Sequence, residues 1–491
     1  MTPHATIQAV DPRTGEAVYE PLAETTSQEL DSAVREAHDA FAVWAKTPDS
    51  RRAEVVNALA DTLDAHVDEL VKIAEQETGL GEARLTGEVA RTSFQLRMFG
   101  QLLEGGELLA AHVDEPIDES PPVGRPRMVR SLVPLGPVAV FGASNFPFAF
   151  SVLGGDTASA LAAGCSVVVK EHPSHPNLSV RCVELARQVF VDHGFPASVL
   201  VGVRGFDAGV SLVSHPVISA VGFTGSQRAG RALWDLVNAR EVPIPFYGEL
   251  GSLNPAFITQ AAMSNRRTEL AAEAATSIMM GRGQFCTKPA LLFIPDDQGF
   301  VDELVSQLGE AAPGPLLSPA IRQRFIESVS RVSASGGVSA LIADTDASGL
   351  SVGPHLLSAS VEDYLAGADE IKEECFGPSA VVIRCSQDTD YLKVVEDLEG
   401  ALVAAVHAES GHDQEIVNTV VDALSGRVGR IVMNGWPTGL AVSPWQHHGG
   451  PYPASTSVLH TSVGGQAMMR FVRPLVIQNA TPDQWPGLTS M

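Results

Sequence analysis

The chain has 491 residues, 45% hydrophobic and 19% charged, enough for two or three packed domains rather than one core. Its 33 basic and 58 acidic residues give a formal net charge of −25, which repels phosphate backbones and anionic lipid, so neither nucleic acid nor a membrane surface is an expected partner. The five cysteines, at 165, 182, 286, 375 and 385, form no C-x-x-C pair, and no disulfide framework or metal cage is expected. Met1-Thr2-Pro3-His4-Ala5-Thr6 lacks a basic-then-apolar leader. The closest approach to a membrane span, Val138 to Leu161, is interrupted by Asn145, Asp156 and glycines, so the expected address is cytoplasmic.

The N-terminal hundred residues are predicted to be mainly helical. Val34, Ala37, Phe41 and Trp44 form one helical stripe, and a second helix starts at Asp49-Ser50, carries Val56, Leu59, Leu63, Val67 and Leu70, and closes at Gly79. Glu104 to Pro122, acidic and rich in glycine and proline, marks a break. Arg125 to Val133 then reads as a strand or hairpin arm outside the main sheet. From Val138 the pattern is α/β: strand 138–141, helix 156–163, strand 166–169, helix 178–193, strand 199–201 and strand 220–223. Strands alternating with helices at this spacing imply a parallel, doubly wound sheet. A second α/β unit follows Glu249, with helix 270–280, strand 290–294, helix 300–308 and strands 380–383 and 430–434. Val472 to Ile477 is a late β-rich segment expected to pair with the 125–137 arm.

Chemistry concentrates at three places. Cys286 sits in Gly283-Gln284-Phe285-Cys286-Thr287, Glu249 in Gly248-Glu249-Leu250-Gly251, and Asn145 in Ala143-Ser144-Asn145-Phe146-Pro147. A thiol that attacks a carbonyl carbon, an amide that holds the oxyanion and a carboxylate that activates water are the parts of covalent catalysis through a thioester. The other four cysteines read as small buried hydrophobes. Thr224-Gly225-Ser226 between a strand and a helix suits a pyrophosphate. Lys170, ending its strand, suits a ribose or phosphate. His447-His448 has no ligand spacing around it and reads as loop; no metal is expected.

Five motifs occur in order: Val133-Pro134-Leu135-Gly136-Pro137 to Asn145-Phe146-Pro147, Phe223-Thr224-Gly225-Ser226, Glu249-Leu250-Gly251, Gly283-Gln284-Phe285-Cys286, and Glu373-Glu374-Cys375-Phe376-Gly377-Pro378. Together they resemble the aldehyde dehydrogenase superfamily over nearly the whole chain. Gly283 to Pro289 and His448 to Thr456 are similar to the branch of 2-oxoglutarate semialdehyde (2,5-dioxopentanoate) dehydrogenases, with NADP-dependent fatty-aldehyde dehydrogenases as the alternative. The resemblance implies two doubly wound α/β domains and a small β oligomerisation arm: a dinucleotide-binding domain (1–116 and 138–247), the arm (117–137 and 470–491) and a catalytic domain (248–469), assembled as a homo-oligomer, dimer or tetramer.

It further implies that Cys286 attacks an aldehyde, that Asn145 and the Cys286 N–H hold the oxyanion, and that Glu249 activates water. Lys170 would reach the adenosine ribose, Gly225, Ser226 and Gly251 would line the dinucleotide, and Glu374 with Phe376 would hold the nicotinamide ribose. Where NAD-preferring members carry a glutamate three residues after the lysine, this chain has Pro173, which points to NADP over NAD, with His172, Ser174 and Arg204 as candidates for its 2′-phosphate. Arg91 and Arg97 are candidates for a substrate carboxylate. A reading of another class, a cysteine hydrolase or acyltransferase, requires a histidine base beside the thiol.

Overall fold

The protein, a computed structural model, is described over residues 5–106, 108–119, 123–343, 349–366, 369–387 and 389–479. An antiparallel hairpin, β1 (Thr6–Val10) and β2 (Ala17–Ala23), opens the chain where the pattern predicts helix. Both strands lie largely exposed, so little apolar alternation marks them. Four helices follow: α1 (Ser27–Trp44), α2 (Asp49–Ala65), α3 (Val67–Thr78) and α4 (Glu82–Gly105). Thr26 and Glu29 close a capping box on α1. Its buried Trp44 donates Nε1–H to the Leu161 carbonyl at 3.0 Å and meets Phe190 and Phe195 edge-on. The helix expected from Asp49 to Gly79 is broken at His66, whose ring and backbone both turn onto the Thr62 carbonyl. Gly79, with φ +59°, closes α3 as expected.

The arm forms as its sequence pattern indicates. Strands β3 (His112–Asp114) and β4 (Met128–Pro134) pair antiparallel, and the last strand, Val472–Gln478, pairs with β4 from Val472↔Pro134 to Gln478↔Met128. Residues 120–122 and 480–491 of the arm lie outside the described residues.

The first sheet is wholly parallel. Its strands are β5 (Val138–Phe141), β6 (Val167–Lys170), β7 (Leu200–Val203), β8 (Ala220–Thr224) and β9 (Phe246–Glu249), in the order β7-β6-β5-β8-β9. Their apolar runs are buried on both faces, under α1 to α4 and under α5 (Gly155–Ala162), α6 (Pro176–Asp192), α7 (Phe206–Ser214) and α8 (Gln227–Asn238). Strand order reverses between β5 and β8, the switch point at which such sheets bind ligands beyond their carboxyl ends. Among the described residues the second sheet has seven strands, including β10 (Ala256–Ile258) and β11 (Leu291–Pro295), and places β11 beside Ser379–Cys385 and β10 beside Ala401–His407. Helix α9 (Gln260–Met279) covers it and begins earlier than its predicted Leu270 start, capped by Thr259.

The C-terminal part of the 248–469 segment crosses back: Ala467 and Met468, with Phe471, pack into the core beneath the first sheet. Arg470 follows them and meets Asp156 of α5 at 2.8 Å, both buried, while also donating to Ser159 Oγ. Removing one partner of a buried pair leaves an uncompensated charge. Arg470→Leu is therefore expected to cost about 3–5 kcal/mol, measured as a drop in apparent Tm, and Asp156→Asn added to it should recover part of the loss. An unchanged Tm in the single variant contradicts this account.

Candidate active site

Glu249 is the last residue of β9, and its carboxylate is buried. Gly281, Arg282 and Gly283 turn the chain after α9 through three consecutive left-handed residues and deliver Cys286. At Gly283 a Cβ would lie 2.1 Å from the Gly377 carbonyl oxygen, so only glycine fits. The Cys286 carbonyl accepts from Asn254 Nδ2 at 2.7 Å, and the same amide bonds the Lys288 carbonyl at 3.0 Å. Buried Lys288 donates to the carbonyls of Cys375 and Ser379, tying this loop to the one that carries Glu374. Asn145, after β5, donates Nδ2–H to the Gln284 carbonyl at 3.0 Å. Thiol, carboxylate and amide thus converge from three distant segments.

A fourth side chain, which the sequence reading leaves in a loop, stands between two of them. His448 Nε2 lies 3.5 Å from Cys286 Sγ and 3.0 Å from Glu249 Oε1. His448 is buried, and its backbone is pinned by Thr461 Oγ1 and by Ser462. Ser462 Oγ also donates to Glu249 Oε2 at 2.5 Å. The signal missed is spatial: His448 lies 162 positions from Cys286, and no sequence spacing reports such a contact.

Burial raises the Cys286 thiol well above its ordinary value, Glu249 raises it further, and Arg91 opposes both. Burial alone would also raise Glu249, but His448, Ser462 and the thiol hold its carboxyl below the usual range. The carboxylate is thus kept charged beside a thiol it helps to keep protonated.

Helix α4 lines the other side. Arg84, Glu88 and Arg91 share one face. The buried Glu88 carboxylate accepts from the backbone N–H groups of Phe148 and Ala149, fixing the segment after Asn145. Arg84 lies over the Phe146 and Phe285 rings and donates to the Asn145 carbonyl at 2.7 Å. Arg91 lies over Phe150 and within electrostatic reach of Cys286 and Glu249. Among the described residues, the buried Nη1 atoms of both arginines have no hydrogen-bond partner. Arg97 does not join them. It points away and binds Asp61 and Asp64 at 2.6 and 2.7 Å on the exposed side of the helix, which removes it as a substrate ligand. Gly100, within α4, lets that helix pack closely on α2, since a Cβ there would sit 2.3 Å from Asn57 Oδ1.

Most of the remaining candidates follow the carboxyl ends of the first sheet, while Glu374 and Phe376 lie on the loop before Ser379–Cys385 of the second. Lys170 ends β6 and is half-buried. Ser174 N–H donates to His172 Nδ1, and the His172 ring stacks on His175. Arg204 holds the buried Glu171 carboxylate at 2.8 and 3.2 Å. Gly225 and Ser226 form the exposed start of α8, with Ser226 Oγ capping Ala229. The Gly225 N–H donates to the Glu249 carbonyl at 3.1 Å, coupling this turn to the buried carboxylate. A Cβ on Gly251 would lie 2.1 Å from Glu374 Oε2, so the glycine makes room for that carboxylate. Phe376 is half-buried on the same loop.

A parallel sheet with a strand-order switch point, beside a second α/β unit and a half-buried thiol next to a buried carboxylate, is the arrangement of a thiol-dependent enzyme with a sheet end suited to a dinucleotide. Residues 1–476 match the aldehyde dehydrogenase family. The chain is 38% identical to "Alpha-ketoglutaric semialdehyde dehydrogenase 2" of Azospirillum brasilense, over 98% of this chain and 93% of that protein. It is 35% identical to "Alpha-ketoglutaric semialdehyde dehydrogenase" of Acinetobacter baylyi, over 95% and 89%. Two solved structures share the fold: PnpE of Pseudomonas sp. WBC-3 (24% identity, TM-score 0.81, 97% of this chain and 95% of that one), and an aldehyde dehydrogenase of Physcomitrella patens solved with succinate (19%, TM-score 0.81, 98% and 96%).

The chain belongs to the aldehyde dehydrogenase family. It is an enzyme that oxidises an aldehyde to a carboxylic acid. His448 does supply the histidine that the hydrolase reading requires, but the family match covers nearly the whole chain and decides for the dehydrogenase.

The electrostatics of the pair give a sign. Glu249→Gln removes a negative charge beside the thiol, so the Cys286 pKa falls. Alkylation of Cys286 by iodoacetamide at neutral pH should then be faster than in the unaltered enzyme, with its pH midpoint shifted down. A slower reaction or an upward shift refutes the geometry.

Proposed function

We propose that this enzyme oxidises 2,5-dioxopentanoate (2-oxoglutarate semialdehyde) to 2-oxoglutarate, with NADP preferred over NAD. The observation that carries the substrate is Arg91, a half-buried cation whose buried Nη1 has no partner among the described residues, on the same side as Cys286 and Glu249. A substrate carboxylate would satisfy that donor while its aldehyde lay at the thiol. The names of the two relatives agree with this choice. An aldehyde with a long apolar tail is the poorer fit, because the aromatic path of Phe146, Phe150 and Phe285 is overlaid by the Arg84 and Arg91 guanidiniums.

In this reading His448 takes the Cys286 proton as sulfur attacks, and Glu249 stabilises the resulting imidazolium. Asn145 Nδ2 and the Cys286 N–H hold the oxyanion, each donor supplying roughly 3–4 kcal/mol. A bound nicotinamide supplies the hydride acceptor. Glu249, kept ionised by its partners, then draws a proton from the water that hydrolyses the thioester. Ser462 fixes which Glu249 oxygen is free to do so.

The carboxyl ends of β5 to β9 fit a dinucleotide. The first turn of α8 is exposed and begins Gly225-Ser226, which suits the pyrophosphate. Lys170 would reach the adenosine ribose, and Glu374 with Phe376 the nicotinamide ribose beside Gly251. Position 173 offers no acid, and the neighbouring Glu171 is paired with Arg204, so the glutamate that would oppose a 2′-phosphate at 173 is missing, although Glu24 lies within electrostatic reach of Lys170. Residues 1–116 with 138–247 would hold the dinucleotide, 248–469 would carry the thiol, and the arm of 117–137 with 470–491 would join subunits into a dimer or tetramer.

Two assays test this. With short aliphatic, long aliphatic, aromatic and semialdehyde-acid substrates, Arg91→Ala should raise KM for the semialdehyde acids at least about tenfold, the effect of 1.4 kcal/mol, and spare neutral aldehydes, while Arg97→Ala changes neither. An unmoved KM in Arg91→Ala rules out the anchor. For the cofactor, kcat/KM should favour NADP, and Pro173→Glu should shift preference toward NAD by at least about tenfold; equal use of both cofactors by the unaltered enzyme defeats the assignment.

A further inference from the structure

We infer that Cys286, His448 and Glu249 form a zinc-binding site, so that this enzyme is reversibly closed by a soft divalent cation. The ligand atoms of the three side chains all lie within 4.8 Å of one another, although no ligand spacing links them in sequence. Tetrahedral zinc, with Zn–S about 2.3 Å and Zn–N and Zn–O about 2.0–2.2 Å, sets the S···N edge at about 3.6 Å and the N···O edge at about 3.4 Å. The observed separations are 3.5 Å from Cys286 Sγ to His448 Nε2 and 3.0 Å from that nitrogen to Glu249 Oε1. A few tenths of an ångström of opening between histidine and glutamate, with a rotation of the carboxylate toward sulfur, completes three corners. The fourth is left for water.

Two independent features favour the metal. Buried Glu249 Oε1 has no aligned hydrogen bond among the described residues despite its close approach to His448, so the oxygen has a lone pair to give. Its other oxygen is already held by Ser462, and His448 is pinned at its backbone by Thr461. This is the outer support that orients metal ligands. Arg91 opposes a cation here, but binding releases the Cys286 proton, and thiolate plus carboxylate then offset both charges of the ion. No electron is transferred: an S–H bond breaks, an S–Zn bond forms, and the proton leaves to solvent.

The inference deepens the reading of the same thiol as the nucleophile. It rests on that reading for its consequence, inhibition, and not for the binding itself. The test therefore uses metal alone, without aldehyde or dinucleotide. Chelator-treated full-length enzyme is titrated with Co²⁺ and followed by absorption. One equivalent should give a thiolate-to-cobalt charge-transfer band with tetrahedral d–d bands, displaced by Zn²⁺, and Zn²⁺ should slow iodoacetamide alkylation of Cys286. Cys286→Ala should abolish the charge-transfer band. His448→Ala and His448→Asn should each weaken binding by at least about tenfold, since even outer-shell losses cost 10–100-fold. Melting curves matched to the unaltered enzyme show that these variants are folded. A missing charge-transfer band in the unaltered enzyme, a band that survives Cys286→Ala, or affinity unmoved in both folded His448 variants overturns the site, whatever the dehydrogenase assays return.

Discussion

A carboxylate buried at the end of a strand has to be compensated, and the arrangement around Glu249 follows from that need. The strand itself cannot supply the partners, because β9 is an edge of the first sheet. The returning segment does. Ser455 bridges Glu249 antiparallel, Leu250 N–H donates to the Ala454 carbonyl, and Thr456 Oγ1 takes the Gly248 N–H while donating to the Phe246 carbonyl. These backbone bonds cover the exposed edge of β9. They also bring His448 and Ser462 to the two carboxylate oxygens. One set of contacts therefore protects a sheet edge, satisfies a buried charge and places an imidazole against the thiol.

The same logic explains how distant parts of the chain hold one geometry. Asn254 and Lys288 fasten the Cys286 loop by its carbonyl oxygens and to the 375–379 turn. Gln284, whose carbonyl receives Asn145, uses its own side chain to bind the Leu317 N–H and the Gly281 carbonyl. The thiol loop is thus held through its backbone, largely by side chains of Asn254, Lys288 and Gln284 that lie outside the thiol, carboxylate and imidazole cluster. Such outer supports fix reactive atoms to within the fraction of an ångström that catalysis requires.

How much of this was legible in the sequence depended on whether the signal was local. The parallel strands from Val138 to Phe223 are short apolar runs between glycine turns, and they form where expected. Pairing of 472–477 with the 125–137 arm was readable from two β-rich segments lying outside the α/β pattern. Helix α4 blurred its own pattern: it buries Glu88, Thr92, Ser93 and Gln95 among its apolar residues, so polarity does not mark its outer face. That is why Arg97 looked equivalent to Arg91, although they face opposite ways. The break at His66 comes from one ring bonding back to a carbonyl, a choice that periodicity does not encode. His448 was the largest omission, because its partners lie some 160 to 200 positions away.

Helix α4 also places two cations on the side that faces the thiol loop. Burial lowers the pKa of both Arg84 and Arg91, while Glu88 between them supports their charge. Glu88 is itself occupied with the Phe148 and Ala149 N–H groups, and its buried Oε2 has no hydrogen bond among the described residues. Two guanidiniums share that committed carboxylate, with the Glu249 carboxylate in reach of Arg91 as well, yet each keeps a buried Nη1 without a hydrogen bond among the described residues. A buried donor left unpaired costs stability unless an acceptor arrives to take it. On the proposed reading, those two donors are where an acidic semialdehyde would be told from a neutral aldehyde.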